Sequence, residues 1–336
     1  MTRPIFIVGC PRSGTTLLRD LLRSHPNLTL PPETQLIPRF YRAYGDPSSD
    51  REAWLLARRI LQNPRIASWG ISTSEADFAG CRSFSGVIRR LFEVWAAKEG
   101  KPRWGDKTPH NVRHLPLILR LFPEAQVIHI IRDGRDAALS WIRAGFEPRN
   151  LYVAARMWND WVAKGRRDGA LLPPGTYFEL RYETLLAEPE AAMRGVCDFL
   201  NEHYFSAVLT PNPIQHESGW RIRERTDPAF RSGIVRTNSG GWRSAMNLRQ
   251  RTLFESVAGG LLAELGYPVE GLARPLSRAE KLLWETDHRL RFLLQRLRWL
   301  RKPHWRRLAL SVGWAMVRPF LRPSLSRSAG RNPPPD

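Results

Sequence analysis

The chain has 336 residues, of which 42% are hydrophobic and 25% charged, as in a globular protein rather than a disordered one. Lysine and arginine outnumber aspartate and glutamate by 52 to 32, and the resulting charge of +20 indicates an anionic partner: a phosphorylated ligand, a nucleic acid or an acidic membrane surface. Three cysteines without CxxC spacing exclude a disulfide framework and a common zinc site.

A buried strand and a helix are predicted in the first 25 residues. Residues 5–8 are β-branched and aromatic, lack the alternation of a half-exposed strand and end at Gly9. Leucines at helical spacing then occupy residues 15–24, before Pro26 ends the helix. The connection therefore places backbone N–H groups at a helix N-terminus, where an anion can bind.

Two more strand-and-helix units follow along the chain. A strand at 127–131 leads through a turn at 132–136 into a helix, and a strand at 177–180 precedes another helix. Further helices are expected between these units. The predicted helices lie at residues 51–61, 84–98, 112–121, 137–143, 151–164, 189–200 and 249–265. This alternation predicts an α/β fold, a P-loop-like three-layer sandwich whose central, mostly parallel sheet is flanked by helices.

The chain changes in composition near residue 274. From residue 281 to the end, 13 Lys or Arg face 3 Asp or Glu, so half of the excess charge lies there. Leucines recur there at helical spacing between arginines: Leu290, Leu293, Leu294, Leu297 and Leu300. We therefore predict a main domain at 1–273, a basic amphipathic helical extension at 274–323 and a disordered tail at 324–336.

Two interpretations of the extension stay open. Its leucines either pack on the core, or residues 281–307 lie on an anionic membrane surface. Specific nucleic-acid binding is not expected, because no recognition module is visible. The sequence has no signal-peptide pattern and no run of about 18 apolar residues, so a cytoplasmic location is expected, with attachment to the inner face of a membrane as an option.

The first strand-to-helix loop carries an unusual set of phosphate-binding residues. Gly9 and Gly14 have the spacing of the ATP-binding P-loop, but Thr15-Thr16 replaces its Lys-Ser/Thr pair. The loop's cation is Arg12, whose guanidinium suits a bidentate grip on a small oxyanion. A standard P-loop kinase or NTPase is therefore disfavoured.

This loop resembles the 5′-phosphosulfate-binding loop of sulfotransferases that use 3′-phosphoadenosine-5′-phosphosulfate (PAPS). The resemblance implies donor binding by six residues: Pro11, Arg12, Ser13, Gly14, Thr15 and Thr16. Residues 130–140 are similar to the 3′-phosphate motif of the same family. Arg132 at the strand end and Ser140 eight residues later stand where that motif holds the 3′-phosphate.

Two later segments resemble the same family. Residues 181–190 resemble its Tyr-Glu-Asp stretch, which implies that Tyr182 lies near the adenine. The segment that ends in Gly-Gly-Trp-Arg resembles the late loop that closes over the donor, and implies phosphate contacts by Arg236 and Ser239 and a lid or stacking role for Trp242. The resemblance spans about residues 4–270. Features at 32–38 and 104–109 resemble a bacterial group related to tyrosylprotein sulfotransferases.

The transfer chemistry needs cations at the bridging oxygen of the leaving phosphate and a base for the acceptor. Arg12 and Lys107 are the candidate cations. Glu33 falls where the tyrosylprotein enzymes carry their catalytic glutamate, and His110 is the rival base. His110 and His114 are four residues apart without a carboxylate cluster, so no metal site is expected.

The sequence therefore predicts a PAPS-dependent sulfotransferase that transfers a sulfuryl group in line to an acceptor hydroxyl and releases 3′-phosphoadenosine-5′-phosphate (PAP). Carbohydrate, glycolipid, small alcohol and tyrosine acceptors all stay open. The alternatives are a degenerate P-loop nucleotide kinase or NTPase, and a non-catalytic protein that binds a membrane surface or nucleic acid.

Overall fold

A computed structural model describes residues 3–145, 148–214, 234 and 238–300. Within them, five strands form one parallel sheet in the order β2-β3-β1-β4-β5. The strands are β1 (Ile5–Gly9), β2 (Leu28–Thr29), β3 (Arg103–Lys107), β4 (Gln126–Ile131) and β5 (Tyr177–Arg181). Strand β1 lies at the centre, with Ile7 paired to Lys107 on one side and to Ile128 on the other.

Helices and 3₁₀ turns connect the strands. The α-helices are α1 (Thr15–Leu22), α2 (Ile37–Tyr44), α3 (Asp50–Leu61), α4 (Pro64–Ala67), α5 (Phe84–Lys98), α6 (Leu115–Leu121), α7 (Gly134–Arg143), α8 (Leu151–Ala170), α9 (Tyr182–Ala187), α10 (Pro189–Leu200), α11 (Trp242–Ala245), α12 (Leu248–Glu264) and α13 (Arg278–Leu300). The 3₁₀ turns are Glu75–Phe78, Pro109–His114 and Ser206–Leu209.

Alternate residues of β1 enter two separate apolar layers. Phe6 and Val8 belong to a core cluster formed with α5, α8 and α12, whereas Ile5 and Ile7 belong to a cluster formed with α1 and α10. Because successive side chains of a strand point to opposite faces, the sheet must lie between the two clusters. The predicted α/β architecture with a parallel sheet flanked by helices is thereby confirmed.

Strand β3 was not predicted, because its residues Arg-Trp-Gly-Asp-Lys are mostly polar. All five are buried, and the charged groups of Arg103, Asp106 and Lys107 each find a partner inside the protein. Arg103, for example, donates to Gln126 Oε1 over 2.6 Å and to the Leu200 carbonyl over 2.7 Å. A pattern that predicts strands from apolar residues misses a strand of this kind.

Two predicted helices have different bounds in the structure. The helix expected at 112–121 is a 3₁₀ turn followed by α6, because Pro116 lacks the N–H that one continuous helix would need. Helix α8 continues to Ala170 past the end expected before Gly165. A Cβ on Gly165 would lie 2.4 Å from Val112, so the glycine permits α8 to pack closely against the 3₁₀ turn that carries Val112.

The basic extension begins as α13, which packs on the start of α8 through polar groups. Asn150 Nδ2 donates to the Trp284 carbonyl over 2.7 Å and to Asp287 Oδ2 over 2.9 Å, and the Arg149 N–H donates to His288 Nδ1. The alternative of packing through the leucine stripe is wrong for the described part of the helix, where its leucines are exposed. The three predicted boundaries stay predictions, and residues 301–336 lie outside the described ranges.

Candidate active site

The motif residues gather where the chain leaves the carboxyl ends of the strands. Gly9 ends β1, Lys107 ends β3 and Ile131 ends β4, and parallel strands place these ends at one edge of the sheet. After β1 the chain goes to β2 on one side of the sheet, and after β4 it goes to β5 on the other, so these two connections leave the edge in opposite directions. Such a switch point is where open α/β sheets bind ligands.

Glycines bring the loop after β1 close to its neighbours. A Cβ on Gly9 would lie 2.5 Å from the Ile130 carbonyl oxygen, and one on Gly14 would lie 2.3 Å from the Tyr182 ring. Gly14 also has a φ of 93°, and Arg12, a non-glycine residue, has a φ of 73°. Left-handed backbone at a non-glycine residue is costly and is concentrated at functional sites. The loop therefore has one strained shape, packed against Tyr182.

The arginine of the loop reaches the second phosphate motif. Arg12 Nε donates to Ser140 Oγ over 3.0 Å, and Arg132 Nη1 donates to the Arg12 carbonyl over 3.1 Å. The structure thus brings Arg12 together with Arg132 and Ser140, which follow it by 120 and 128 positions in the sequence. Within the same loop Thr15 is buried, Pro11 is half-buried and Thr16 is exposed.

Arg132 also contacts the tyrosine predicted to lie near the adenine. Its guanidinium carbon lies 4.6 Å from the centroid of the Tyr182 ring. Asn238 completes the cluster: it accepts from Arg132 Nη2 at its carbonyl over 2.9 Å and donates through Nδ2 to the Tyr182 hydroxyl over 2.9 Å. Sequence reasoning missed Asn238, although it lies in the late-loop segment that carries the family resemblance.

Two buried polar atoms stand out at this cluster. Ser13 Oγ and Arg132 Nε have no hydrogen-bond partner among the described residues. A buried donor without an acceptor is costly, so a ligand or water that accepts from these two atoms would be stabilised there. Both belong to the predicted phosphate contacts, so they fit an anionic ligand with two phosphate-type groups.

The late loop is attached to helix α7 by one carboxylate. Asp136 accepts from the Gly240 N–H over 2.6 Å and from the Trp242 N–H over 2.8 Å. Trp242 is buried, and the Arg135 guanidinium stacks 3.6 Å from its ring centroid. Trp242 is placed as an anchor of the loop, and its contact with the donor stays a prediction. Ser239 is half-buried, and Arg236 lies outside the described residues.

We expect Asp136→Ala to weaken PAP binding by about tenfold, because it removes the two bonds by which α7 holds the loop carrying Asn238. Calorimetric titration of PAP measures the change. Asp198→Ala, at an exposed aspartate of α10, is the matched control and should bind as the parent does. Equal PAP affinity in Asp136→Ala would show that the attachment does not shape the donor site.

The candidate catalytic pair is buried beside this site. Lys107 Nζ lies 3.1 Å from Glu33 Oε2, and the two side chains are 1% and 5% exposed. Gln35 Nε2 donates to the other carboxylate oxygen of Glu33 over 2.7 Å. The structure thus joins Glu33 and Lys107, which are 74 residues apart in the sequence.

A second carboxylate fixes the strand end that carries Lys107. Asp106 Oδ1 accepts from Thr34 Oγ1 over 2.9 Å and from Thr108 Oγ1 over 3.2 Å, and Asp106 Oδ2 accepts from Asn111 Nδ2. Because Thr34 follows Glu33 directly, these bonds hold the Glu33 segment against β3. The adjacent Lys107 motif was the only sequence signal for Asp106.

Burial raises the pKa of Asp106 to about 6. A carboxyl whose pKa is higher in the folded state stabilises the fold at low pH and loses that contribution as the pH rises. We expect the free energy of unfolding to fall by about 2 kcal/mol between pH 4 and pH 6 for this reason. Urea unfolding at the two pH values should show the fall in the parent and not in Asp106→Asn. An identical pH dependence in both would contradict it.

The rival base lies on the 3₁₀ turn after β3. The His110 ring centroid is 5.0 Å from that of Trp161, in an edge-to-face arrangement. His110 thus packs against Trp161 of α8, whereas Glu33 is joined directly to Lys107. Within the described ranges, no group of three His, Cys, Asp or Glu side chains could hold a metal ion.

Comparison with known proteins identifies the family of this chain and agrees with its fold. The model of the sulfotransferase family matches residues 4–206. The chain belongs to the sulfotransferase family, which confirms the resemblance and the class of enzyme that it implies. Among the described residues, no helix is both long enough and apolar enough to cross a membrane.

Relatives and solved structures extend the similarity. Protein-tyrosine sulfotransferase 1 of Danio rerio is 28% identical over 298 residues, which cover 85% of this chain and 78% of that protein. An uncharacterized protein of Aquifex aeolicus is 28% identical over 254 residues, but the match spans only 30% of its length. The sulfotransferase domain of the curacin biosynthetic pathway superposes with a TM-score of 0.56 at 23% identity, and covers 80% of this chain and 99% of that domain.

Proposed function

We propose that the protein transfers a sulfuryl group from PAPS to an acceptor hydroxyl and releases PAP. The observation that carries the proposal is the cluster of Arg12, Ser140, Arg132 and Tyr182 at the switch point of the sheet. Its two buried polar atoms without a partner among the described residues are supplied with acceptors when phosphate oxygens bind there.

Two parts of the site bind the two phosphate groups of the donor. The loop N–H groups with Ser13, Thr15 and Thr16 bind the 5′-phosphosulfate at the start of α1. Arg132 and Ser140 bind the 3′-phosphate. The Arg12–Ser140 bond and the bonds of Arg132 to the late loop are then exchanged for bonds to phosphate, and Tyr182 lies beside the adenine. Pro11 and Gly14 shape the loop, and Arg236 and Ser239 are further proposed phosphate contacts.

In the transfer step, the acceptor oxygen forms a bond to sulfur while the bond from sulfur to the bridging phosphate oxygen breaks. Glu33 accepts the proton of the attacking hydroxyl, and Arg12 and Lys107 neutralise the charge that develops on the phosphate oxygen. Glu33 is favoured over His110 because it is held within 3.1 Å of the cation that serves the same step. His110 stays the alternative base.

The acceptor is proposed only as a hydroxyl compound. Because the Danio rerio relative is named a protein-tyrosine sulfotransferase, tyrosine peptides are the first acceptors to test, before carbohydrates, glycolipids and small alcohols. A cytoplasmic location, peripheral to the inner face of a membrane, stays a prediction that cell fractionation would test.

Calorimetric titration tests the donor site. We expect PAP to bind more tightly than adenosine-5′-phosphosulfate, which lacks the 3′-phosphate, by about tenfold or more, because charge-assisted bonds to Arg132 are lost. Arg132→Gln should remove that preference, whereas Arg167→Gln, at an exposed arginine of α8, should not. Tighter binding of ATP–Mg²⁺, or no binding of PAP, would favour the kinase or non-catalytic alternative.

A further inference from the structure

Helix α13 presents an exposed face made of leucines. Five leucines are between 54% and 68% exposed: Leu282, Leu283, Leu290, Leu293 and Leu294. At about 100° per residue, their spacing places all five within about one third of the helix circumference. We call this surface the leucine face. Isolated exposed leucines are common, but five on one stripe of a helix indicate a surface that another body covers.

The opposite side of the helix is already used. Trp284, Asp287 and His288 bond to the start of α8, and Glu285 lies 3.1 Å from Arg156 of α8. The helix is thus held on the protein by polar contacts, which fix the direction of its leucine face. Because these polar contacts do not use the leucines, they hold the helix in place while the leucine face stays exposed to solvent.

Cations border the leucine face. On the helix wheel, Arg289 lies next to one edge and Arg291 beyond the other. The three acidic groups of the helix are tied in ion pairs: Glu280 with Arg274 over 2.5 Å, Glu285 with Arg156 over 3.1 Å, and Asp287 with Arg291 over 2.7 Å. The chain then continues through residues 301–336, which contain eight Lys or Arg and one Asp. An apolar stripe bordered by arginine is the composition of helices that lie in a membrane interface.

We propose that the leucine face of α13 binds the surface of a lipid bilayer that contains anionic phospholipids. Charge favours an anionic bilayer over the other bodies that could cover the leucine face. Residues 301–336 and a second copy of the chain, with a net charge of +20, are both cationic and would be repelled by the arginine borders. Nucleic acid would satisfy the arginines but leave the leucines in water, whereas an anionic bilayer satisfies both.

Vesicle flotation with the full chain tests the proposal. The protein should float with vesicles of phosphatidylcholine containing about 30% phosphatidylglycerol, and much less with phosphatidylcholine alone. Raising the salt concentration should weaken binding without abolishing it, because the leucines contribute a salt-independent part. Failure to bind the anionic vesicles would overturn the proposal, and light scattering would then show whether a second copy covers the face.

Substitutions locate the contact. The triple variant Leu290→Gln, Leu293→Gln, Leu294→Gln should bind anionic vesicles at least about tenfold more weakly, because it removes apolar area from the face. The control Leu171→Gln, Leu248→Gln changes leucines that are 82% and 58% exposed elsewhere, and should bind as the parent does. Both variants should bind PAP with unchanged affinity, which shows that they are folded. Equal vesicle binding by the triple variant and the parent, or a preference for duplex DNA over anionic vesicles, would overturn the assignment.

Discussion

Arg12→Ala should slow sulfuryl transfer by about 10²–10³-fold while the protein stays folded. The guanidinium lies in the loop and donates to Ser140, and in the proposed transfer step it supplies positive charge where the leaving phosphate becomes more negative. Arg12 is only partly buried, so its truncation should leave the fold intact. The release of PAP from PAPS measures the rate, with water as the acceptor until a better hydroxyl is found.

Arg12→Lys is the matched variant. It keeps the positive charge but loses the planar fork, so we expect a loss of about tenfold or less. Thermal unfolding of the three proteins should coincide, because the side chain is only partly buried. If Arg12→Ala transferred as fast as the parent, the cation of the leaving group would have to be another residue, and the assignment of the loop would be wrong.

The strand, turn and helix that carry each of the two phosphate motifs could be predicted because each unit is local in the sequence. A buried strand, a short turn and a helix follow one another within about 15 residues, and these steps fix the backbone at Arg12 and Arg132. Helices α5 and α10 were predicted with the bounds that the structure has, since their apolar periodicity is strong. Residue patterns predict such elements well because each element depends on residues that are close together in the sequence.

The contacts that complete the site could not be predicted, because they join distant parts of the chain. Asp136 binds the loop at Gly240, 104 residues later, and Asn238 contacts Tyr182, 56 residues earlier. Strand β3 is polar in sequence and is buried only because its partners lie on other elements. For the same reason, the period of α13 predicted a leucine stripe but not which side of the helix would meet α8.

Glu33→Gln should lower transfer by about 10²–10⁴-fold if Glu33 is the base, because glutamine cannot accept the acceptor's proton. The substitution keeps the shape of the side chain and an oxygen that can accept from Lys107, so PAP affinity should be unchanged. His110→Gln, which changes the rival base, should cost less than about tenfold. Both variants are measured by PAP release and by PAP titration.

The pH profile separates a base from a structural carboxylate. In the parent, transfer should fall on the acid side as the base becomes protonated, and this acid limb should be absent from the residual activity of Glu33→Gln but present in His110→Gln. If His110→Gln loses the limb instead, the proton goes to the histidine, and the buried Glu33–Lys107 pair serves to hold Lys107 at the end of β3. Loss of PAP binding in Glu33→Gln would show that the pair shapes the donor site rather than the transfer step. The 3.1 Å contact between Lys107 and Glu33 therefore has one of two roles. It places the base beside the catalytic cation if Glu33 takes the proton, and it only positions Lys107 if His110 does.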